Sequence, residues 1–137
     1  MKKEIKIILD TNIWISFLIK KSMKGIDKLI FDNKAVLLFS DELMTEFIDV
    51  TGREKLKAYF TKENIVSLID LIEEYGEIVN VKTNLDICRD KEDNFLLSLA
   101  KDGKADYLIT GDKDLLVIEN FGKTQIISLS DFLKKYT

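Results

Sequence analysis

The apolar run Ile5–Leu9 ends abruptly at a carboxylate, Asp10, and this junction constrains the fold more than any other feature of the sequence. A short run rich in β-branched residues is typical of a buried parallel strand. The polar residues Thr11 and Asn12 follow at once, and a helix is predicted to begin near Asn12. In open α/β sheets, ligands bind at the edge where the parallel strands end. Asp10 is therefore expected at a ligand-binding edge.

Predicted strands and helices alternate along most of the chain, which favours a parallel α/β sheet with right-handed crossovers. The predicted strands span residues 5–10, 35–39, 78–81, 106–110 and 125–128. The predicted helices span residues 12–20, 24–32, 41–51, 54–59, 62–75, 92–102, 113–118 and 130–136. The stretch between Phe47 and Gly76 is predicted to be helical throughout, as a helical arm beside the sheet. Ser40 and Ser130 are expected to cap helices, and Gly76 and Gly103 to end them.

Length and composition are those of one globular domain, so residues 1–137 are predicted to form a single domain with a substantial core. Apolar residues make up 46% of the chain and charged residues 33%, and proline is absent. Charged residues interrupt each apolar run well below the ~20 residues that a membrane-spanning helix needs. The protein is therefore predicted to be cytoplasmic, with no membrane association.

The chain has no histidine and a single cysteine, Cys88, which excludes several kinds of site. Ser-His-Asp and Cys-His catalysis, His-ligated zinc, thiolate clusters and internal disulfides are all ruled out. Any chemistry must depend on carboxylates, hydroxyls, Lys and Arg. Hard oxygen ligands of this kind suit Mg²⁺ or Mn²⁺. The net charge of −3 says little about a nucleic-acid substrate, because net charge hides local basic clusters.

Acidic residues recur where strands end or where helices begin. Four of them come from four separate segments: Asp10, Glu46, Asp93 and Asp112. In a parallel sheet these points share one edge, so the four carboxylates are predicted to meet in one cleft, where a divalent cation would neutralise their repulsion. A metal ion held in this way lowers the pKa of bound water and clamps a phosphate, as phosphodiester hydrolysis requires. Thr11, Asn12 and Thr110 are predicted to orient these carboxylates.

Four stretches of the sequence resemble PIN-domain proteins, in that family's order and spacing. They are ILDTNIWIS at 8–16, SDELMTEF at 40–47, DKEDNFLLSLAKDGKADYLITGDKDLL at 90–116 and IISLSDFL at 126–133. Within the family, the sequence resembles the toxin components of bacterial toxin–antitoxin pairs, which are related to VapC-like ribonucleases. Lys91 departs from the family pattern, in which proline commonly stands at this position.

The resemblance implies a three-layer α/β/α PIN-like fold, with a parallel five-stranded sheet in the order 3-2-1-4-5 and the helical arm. It also implies a Mg²⁺- or Mn²⁺-dependent endoribonuclease, held inactive by an antitoxin protein and forming homodimers. The acids implied as catalytic and metal-binding are Asp10, Glu46, Asp93 and Asp112. The supporting residues are Thr11, Asn12, Asp90, Thr110 and Asp114, of which the two acids are neighbouring or alternate ligands. RNA phosphates are expected to contact Arg53, Arg89 and Lys113.

Other functions stay open at this point. Phosphatases of the haloacid dehalogenase type also begin with a strand-end Asp, but they usually need a second acid two residues later, where this chain has Asn12. A receiver domain needs an acid on a central strand midway along the chain, which the sequence does not offer. The main alternative is a PIN-like fold kept as a catalytically inactive RNA-binding or scaffold module. The four intact acids argue against it, because clustered unpaired acids destabilise a fold.

Overall fold

The computed structural model describes residues 4–20, 34–53 and 76–136, together with residues 32, 63, 66, 70, 73 and 74. Within these ranges the chain begins with β1 (Ile5–Leu9), α1 (Thr11–Lys20), β2 (Ala35–Phe39) and α2 (Asp41–Thr51). It continues with β3 (Gly76–Ile78), α3 (Lys91–Gly103), β4 (Tyr107–Ile109) and α4 (Lys113–Leu116). It ends with β5 (Asn120–Phe121), β6 (Thr124–Ile127) and α5 (Leu129–Tyr136).

The described strands form one sheet of six strands in the order β3-β2-β1-β4-β6-β5. All neighbouring strands are parallel except β5, which pairs antiparallel with β6. β1 is central, and its residue Ile7 lies opposite Leu37 of β2 and Tyr107 of β4. The predicted order 3-2-1-4-5 is confirmed, with β6 as the fifth predicted strand. Among the described residues the number of strands is six rather than five, because the two-residue β5 turns back onto β6 through Gly122, whose φ is +60°.

The core lies on both faces of the three central strands. Every residue of β4 is buried, as are the last three residues of β1 and of β2. On one face, the ring of Phe39 in β2 lies 5.3 Å from that of Trp14 in α1. The preceding residue, Leu38, points to the other face, where a Cβ added at Gly103 of α3 would lie 2.8 Å from its Cδ1 atom. Helices therefore cover both faces of the sheet, which confirms the predicted three-layer α/β/α arrangement.

One of the two predicted serine caps is confirmed and the other is wrong. Ser40 caps α2, since its Oγ accepts the backbone N–H of Leu43 at 3.2 Å. Ser130 was expected to cap the last helix, but that helix already begins at residue 129. The serine at the start of α5 is Ser128, whose Oγ accepts the backbone N–H of Asp131 at 3.1 Å.

Both predicted glycines lie where a helix ends. α3 ends at Gly103, and the helical residues 73 and 74 are followed by Gly76, which pairs with Leu37 as the first residue of β3. Most of the predicted helix 24–32 and most of the predicted helical arm, 54–59 and 62–75, lie outside the described residues, and residue 32, which is described, lies in a turn. The residues of the arm that are described, at 63, 66, 70, 73 and 74, are helical. Among the described residues, no helix combines the length and the apolar character that crossing a membrane requires.

Candidate functional site

The candidate site lies where β1 and β4 end side by side. Asp10 follows β1 directly, and its backbone N–H still donates to the carbonyl of Ile109 in β4 at 3.0 Å. Asp112 comes shortly after β4 and caps α4, because its Oδ1 accepts the backbone N–H of Asp114 at 2.9 Å. Since the two strands are parallel neighbours, their carboxyl ends bring these acids to the same edge of the sheet.

Thr110 connects Asp10 to Asp112. Its hydroxyl Oγ1 donates to Asp10 Oδ2 at 2.7 Å and accepts the backbone N–H of Asp112 at 3.0 Å. Thr110 is completely buried, so water does not compete for these bonds. The structure thus gives the predicted supporting residue a defined geometry: one hydroxyl orients the first carboxylate and holds the turn that carries the next.

Three carboxylates converge at this edge, and they are called the convergent acids below: Asp93, Asp112 and Asp114. One oxygen atom from each lies within 4.8 Å of the others. Asp93 comes from the first turn of α3, and the other two come from the start of α4. Two of the four acids predicted as principal ligands are therefore brought together, along with Asp114, which was predicted as a neighbouring or alternate ligand. Asp10 is attached to this group through Thr110 and is not one of its members.

Glu46 is placed differently from the other predicted acids. It lies half-buried in the second turn of α2, a helix that packs against α3. Five residues of helix separate it from the start of α2 at the carboxyl end of β2, a rise of about 8 Å. Among the described residues it is not one of the convergent acids. Its role as a metal ligand stays a prediction.

Asp93 combines deep burial with an unsatisfied oxygen. The residue is 4% exposed, and its Oδ2 has no hydrogen-bond partner among the described residues. Burial raises the pKa of its carboxyl group to about 7, with further contributions from a hydrogen bond to Asp112 and from the charges of Asp112, Asp90 and Asp10. A buried carboxylate without a compensating charge is costly. Asp93 is therefore a group that either keeps its proton or shares its site with a cation.

The donor set of the convergent acids fits a divalent cation. Magnesium and manganese take hard oxygen ligands, and magnesium is commonly bound through only one or two carboxylates. The carboxylate of Asp93 offers such an oxygen within 4.8 Å of those of Asp112 and Asp114, and its Oδ2 has no hydrogen-bond partner among the described residues. A cation placed among them would offset the desolvation and the repulsion that raise the pKa of Asp93.

Comparison with known proteins identifies the family. A family model described as "PIN domain" matches residues 6–114. The chain belongs to the PIN-domain family. Over 125 residues the PIN domain is 36% identical to an uncharacterized protein from Methanocaldococcus jannaschii, an alignment that covers 89% of this chain and 80% of the relative.

The PIN domain also resembles a solved structure. Its fold is similar to that of a chain in the crystal structure of VapBC2 from Rickettsia felis bound to a DNA fragment from their promoter, with a TM-score of 0.57. The similarity covers 89% of this chain and 97% of that chain, at 16% sequence identity. This likeness establishes the fold.

The predicted supporting residues of the PIN domain differ in their exposure. Thr11 is 2% exposed, and its Oγ1 has no hydrogen-bond partner among the described residues. Asn12 is exposed, and its backbone N–H lies 3.4 Å from Asp10 Oδ1. Asp90 is exposed just before α3, and its charge helps to raise the pKa of Asp93. All of these residues lie around the edge that carries the convergent acids.

The three basic residues predicted to contact phosphates do not share one location. Arg89 borders the convergent acids: its Nη2 lies 3.5 Å from Asp114 Oδ2, and its side chain is 91% exposed. Lys113 is the exposed first residue of α4. Arg53 pairs with Asp49 at 3.7 Å beyond the far end of α2. Because an eleven-residue helix is about 16 Å long, the structure does not bring Arg53 to the acidic edge.

Sequence reasoning assigned no role to two residues beside this site, Asn94 and Cys88. Asn94 is 5% exposed and makes hydrogen bonds of 2.8 to 3.0 Å to the backbone of residues 87 and 88. Cys88 is half-buried, and burial, followed by the charges of four nearby aspartates, raises the pKa of its thiol. The sequence feature that could have pointed to this role is the position of Asn94 within a predicted helix, since Asn is disfavoured inside helices unless its amide has a specific partner.

Proposed function

We propose that this PIN domain is an endoribonuclease that hydrolyses RNA phosphodiester bonds with the help of Mg²⁺ or Mn²⁺. The observation that carries the proposal is the buried carboxylate of Asp93, which lies beside the carboxylates of Asp112 and Asp114 and whose Oδ2 has no hydrogen-bond partner among the described residues. Such an arrangement destabilises the protein without a cation, so function explains its presence better than packing does. Membership of the PIN-domain family supports the same conclusion.

The proposal gives each acid of the site a role. The convergent acids supply oxygens to the metal, and Asp10 and Glu46 complete the set of catalytic acids. When bound, the metal lowers the pKa of a water molecule and neutralises charge on the phosphate. Thr110 keeps the carboxylate of Asp10 oriented through its 2.7 Å hydrogen bond.

Polar and basic side chains around the acids have complementary roles. Thr11 and Asn12 orient groups at the end of β1, and Asp90 adds negative charge at the start of α3. Arg89 and Lys113 contact RNA phosphates, since both are exposed beside the acids. Arg53 would contact only a part of the RNA that extends away from the reacting phosphate.

We extend the proposal to a biological role as the toxin of a toxin–antitoxin pair in the cytoplasm. The chain would form a homodimer, and an antitoxin protein would hold it inactive by inserting a basic side chain among the acids. Two observations support this role: the motifs of the sequence, and the fold shared with a chain of VapBC2 from Rickettsia felis. A cation from a partner protein would meet the same carboxylates that a metal would.

The decisive experiment is cleavage of a mixed RNA pool in the presence of Mg²⁺, Mn²⁺ or EDTA. Wild-type protein is compared with Asp10→Asn and Asp93→Asn, and with Asp106→Asn as a matched control. Asp106 lies at the opposite edge of the sheet, where its Oδ2 accepts the backbone N–H of Lys6 at 2.9 Å. The amide oxygen of an asparagine can accept the same bond.

Metal-dependent cleavage by the wild type and the control, lost in both site variants, is the expected result. Cleavage that survives both site substitutions would mean that the acids at this edge are not the active site. A folded wild type that cuts no RNA with either metal would favour the inactive RNA-binding or scaffold module instead.

A further inference from the structure

Residues 79–90, called the strap below, run alongside α3, and residues 88–90 form a bend. Val79, Val81 and Leu85 pack against the core, whereas residues 80, 82 and 84 are exposed. The strap belongs to no helix or strand, although its first residue, Val79, donates its backbone N–H to the carbonyl of Phe39 at 2.7 Å. The rest of the strap must therefore be held in place by side chains.

One face of α3 holds the strap through three polar side chains that are four residues apart: Asn94, Ser98 and Asp102. At the far end, Asp102 accepts the backbone N–H groups of residues 82 and 83 at 2.7 and 2.8 Å and the hydroxyl of Thr83 at 2.6 Å. In the middle, Ser98 Oγ accepts the N–H of Leu85 at 3.4 Å.

The end of the strap nearest the acids is held by Asn94. Its Oδ1 accepts the backbone N–H groups of residues 87 and 88 at 2.9 and 2.8 Å, and its Nδ2 donates to the carbonyl of residue 88 at 3.0 Å. The eight helical residues from Asn94 to Asp102 rise about 12 Å. An extended chain covers that length in about four residues, which matches the distance along the strap from Thr83 to Ile87. The strap therefore runs antiparallel to α3 and ends beside Asp93.

Arg89 is the first residue of the strap beyond the bonds of Asn94. Its guanidinium lies 3.5 Å from Asp114, one of the convergent acids, yet its side chain is 91% exposed. An incoming phosphate is repelled by the three carboxylates, so a cation fixed at their rim lowers the electrostatic barrier to binding. A long side chain performs this task only if the backbone that carries it is held in place.

We infer that Asn94 is a positioning residue for substrate binding. By fixing residues 87 and 88, it holds Arg89 at the rim of the convergent acids, where the guanidinium contacts a phosphate of the RNA substrate. The inference rests on the proposed function and adds to it the device that orients the phosphate contact. Asp102 provides a matched control, because it makes the same kind of bond from the same helix to the same strap, but at the end away from Arg89.

The test measures the binding of a fluorescein-labelled single-stranded RNA by fluorescence anisotropy across a series of NaCl concentrations. Ca²⁺ replaces the catalytic metal, since it also takes carboxylate oxygens. Arg89→Gln should reduce the slope of log K against log [NaCl] by about 0.7, the value for one phosphate contact on a single strand. Asn94→Ala should reproduce most of this loss. The double variant should lose no more than Arg89→Gln alone, and Asp102→Ala should keep the wild-type slope.

Four results would overturn the inference. A wild-type slope in Asn94→Ala, or full additivity of the two losses in the double variant, would overturn it while leaving the proposed function intact. Absence of salt-dependent RNA binding by the wild type would overturn both. Hydrogen exchange on the unaltered protein needs no variant to fold: the amides of Ile87 and Cys88 should exchange slowly, and unprotected amides at these positions would also overturn the inference.

Discussion

The two ends of α3 carry aspartates in opposite circumstances. At its start, Asp93 is buried, one of its oxygens has no partner, and its pKa is raised to about 7. Near its end, Asp102 accepts three hydrogen bonds from the strap. The hydroxyl of Thr83, together with the backbone N–H groups of residues 83 and 82, holds the pKa of Asp102 below its usual range.

This contrast separates an acid that stabilises the fold from one that the fold must accommodate. A carboxylate that accepts hydrogen bonds in its charged form contributes to stability at neutral pH. A buried carboxylate beside other acids reduces stability at the same pH. Substituting Asp102 should therefore lower the stability of the protein. Substituting Asp93 should raise its stability while abolishing activity. Both aspartates lie on one helix of the same domain, so the contrast can be tested within a single set of variants.

The largest expected effect is on catalysis at the start of α3. Asp93→Asn should lower RNA cleavage by about 10²–10³-fold or more, since one electrostatic group at a reacting centre is worth about this much. Asp102→Asn should leave the cleavage rate near that of the wild type, because residue 102 lies about 14 Å further along the helix. Cleavage rates at saturating Mg²⁺ measure both. Equal losses in the two variants would mean that α3 as a whole, and not its acidic start, supports activity.

The next effect is a dependence of stability on pH that has opposite signs at the two ends. The carboxyl group of Asp93 has a folded pKa of about 7 against an ordinary value of 3.8, so the folded state holds its proton more tightly. In EDTA, its contribution should therefore fall as pH rises from about 4 to about 7, by at most about 4 kcal/mol. Urea unfolding of the wild type and Asp93→Asn at pH 5 and pH 8 measures this, and the variant should lack the decline.

Asp102 should affect stability in a different pH range from Asp93, and its contribution should rise with pH instead of falling. Because its folded pKa lies below the ordinary value of 3.8, the stability that it contributes is complete above that pH and is lost below it. Asp102→Ala should therefore lower the Tm at neutral pH and have little effect in strong acid. Addition of Mg²⁺ should stabilise the wild type at pH 8 but not Asp93→Asn. Identical pH profiles for the two variants would contradict the contrast.

A smaller effect is expected at Thr110. Its hydroxyl donates a hydrogen bond to the carboxylate of Asp10, whereas Oδ2 of Asp93 has no such donor among the described residues. Thr110→Val keeps the shape of the side chain but removes the donor to Asp10 and the acceptor for the N–H of Asp112. Activity should fall about 10- to 100-fold, as for other residues that orient a metal ligand, and stability by about 1–3 kcal/mol. Thr110→Ser keeps the hydroxyl and should retain most of both. Similar kcat values for the two variants would show that the hydroxyl does not orient Asp10.

The sequence predicted the acidic edge because that edge depends on local pattern. Runs such as Ile5–Leu9 and Tyr107–Ile109 indicate buried parallel strands, and parallel strands end together, so Asp10 and Asp112 were placed at one edge without coordinates. Which acids converge was not predictable in the same way. The turn at the start of α4 brings Asp114 into the group, and a single buried hydroxyl decides where the carboxylate of Asp10 points.

The strap shows the opposite case. A strand is predicted at 78–81, but β3 spans Gly76–Ile78, and the apolar residues beyond it, Val79, Val81 and Leu85, pack against the core without belonging to a strand. The side chains that hold the strap come from Asn94, Ser98 and Asp102, which lie six to twenty residues further along the chain than the groups they bind. Neither helix nor strand periodicity contains information about such contacts. The role inferred for Asn94 therefore required the structure.

The smallest expected effect lies just past the end of α3 that carries Asp102. Lys104 has a φ of +53°, and the bond from the N–H of Ala105 to the carbonyl of Ala100, at 3.0 Å, completes a Schellman motif around it. Glycine usually occupies this left-handed position, but here it stands one residue earlier, at Gly103, where an added Cβ would lie 2.8 Å from the side chain of Leu38.

Lys104→Gly should therefore relieve backbone strain and stabilise the protein by about 0.5–1 kcal/mol, with no change in RNA cleavage. Gly103→Ala, the reciprocal change, should destabilise it, because Leu38 must move to make room for the new methyl group. Urea midpoints for the two variants measure the difference. Neither residue touches the convergent acids. Any loss of cleavage in Lys104→Gly would therefore mean that a change at the end of α3 alters the acids at its start, and that the two ends are not independent.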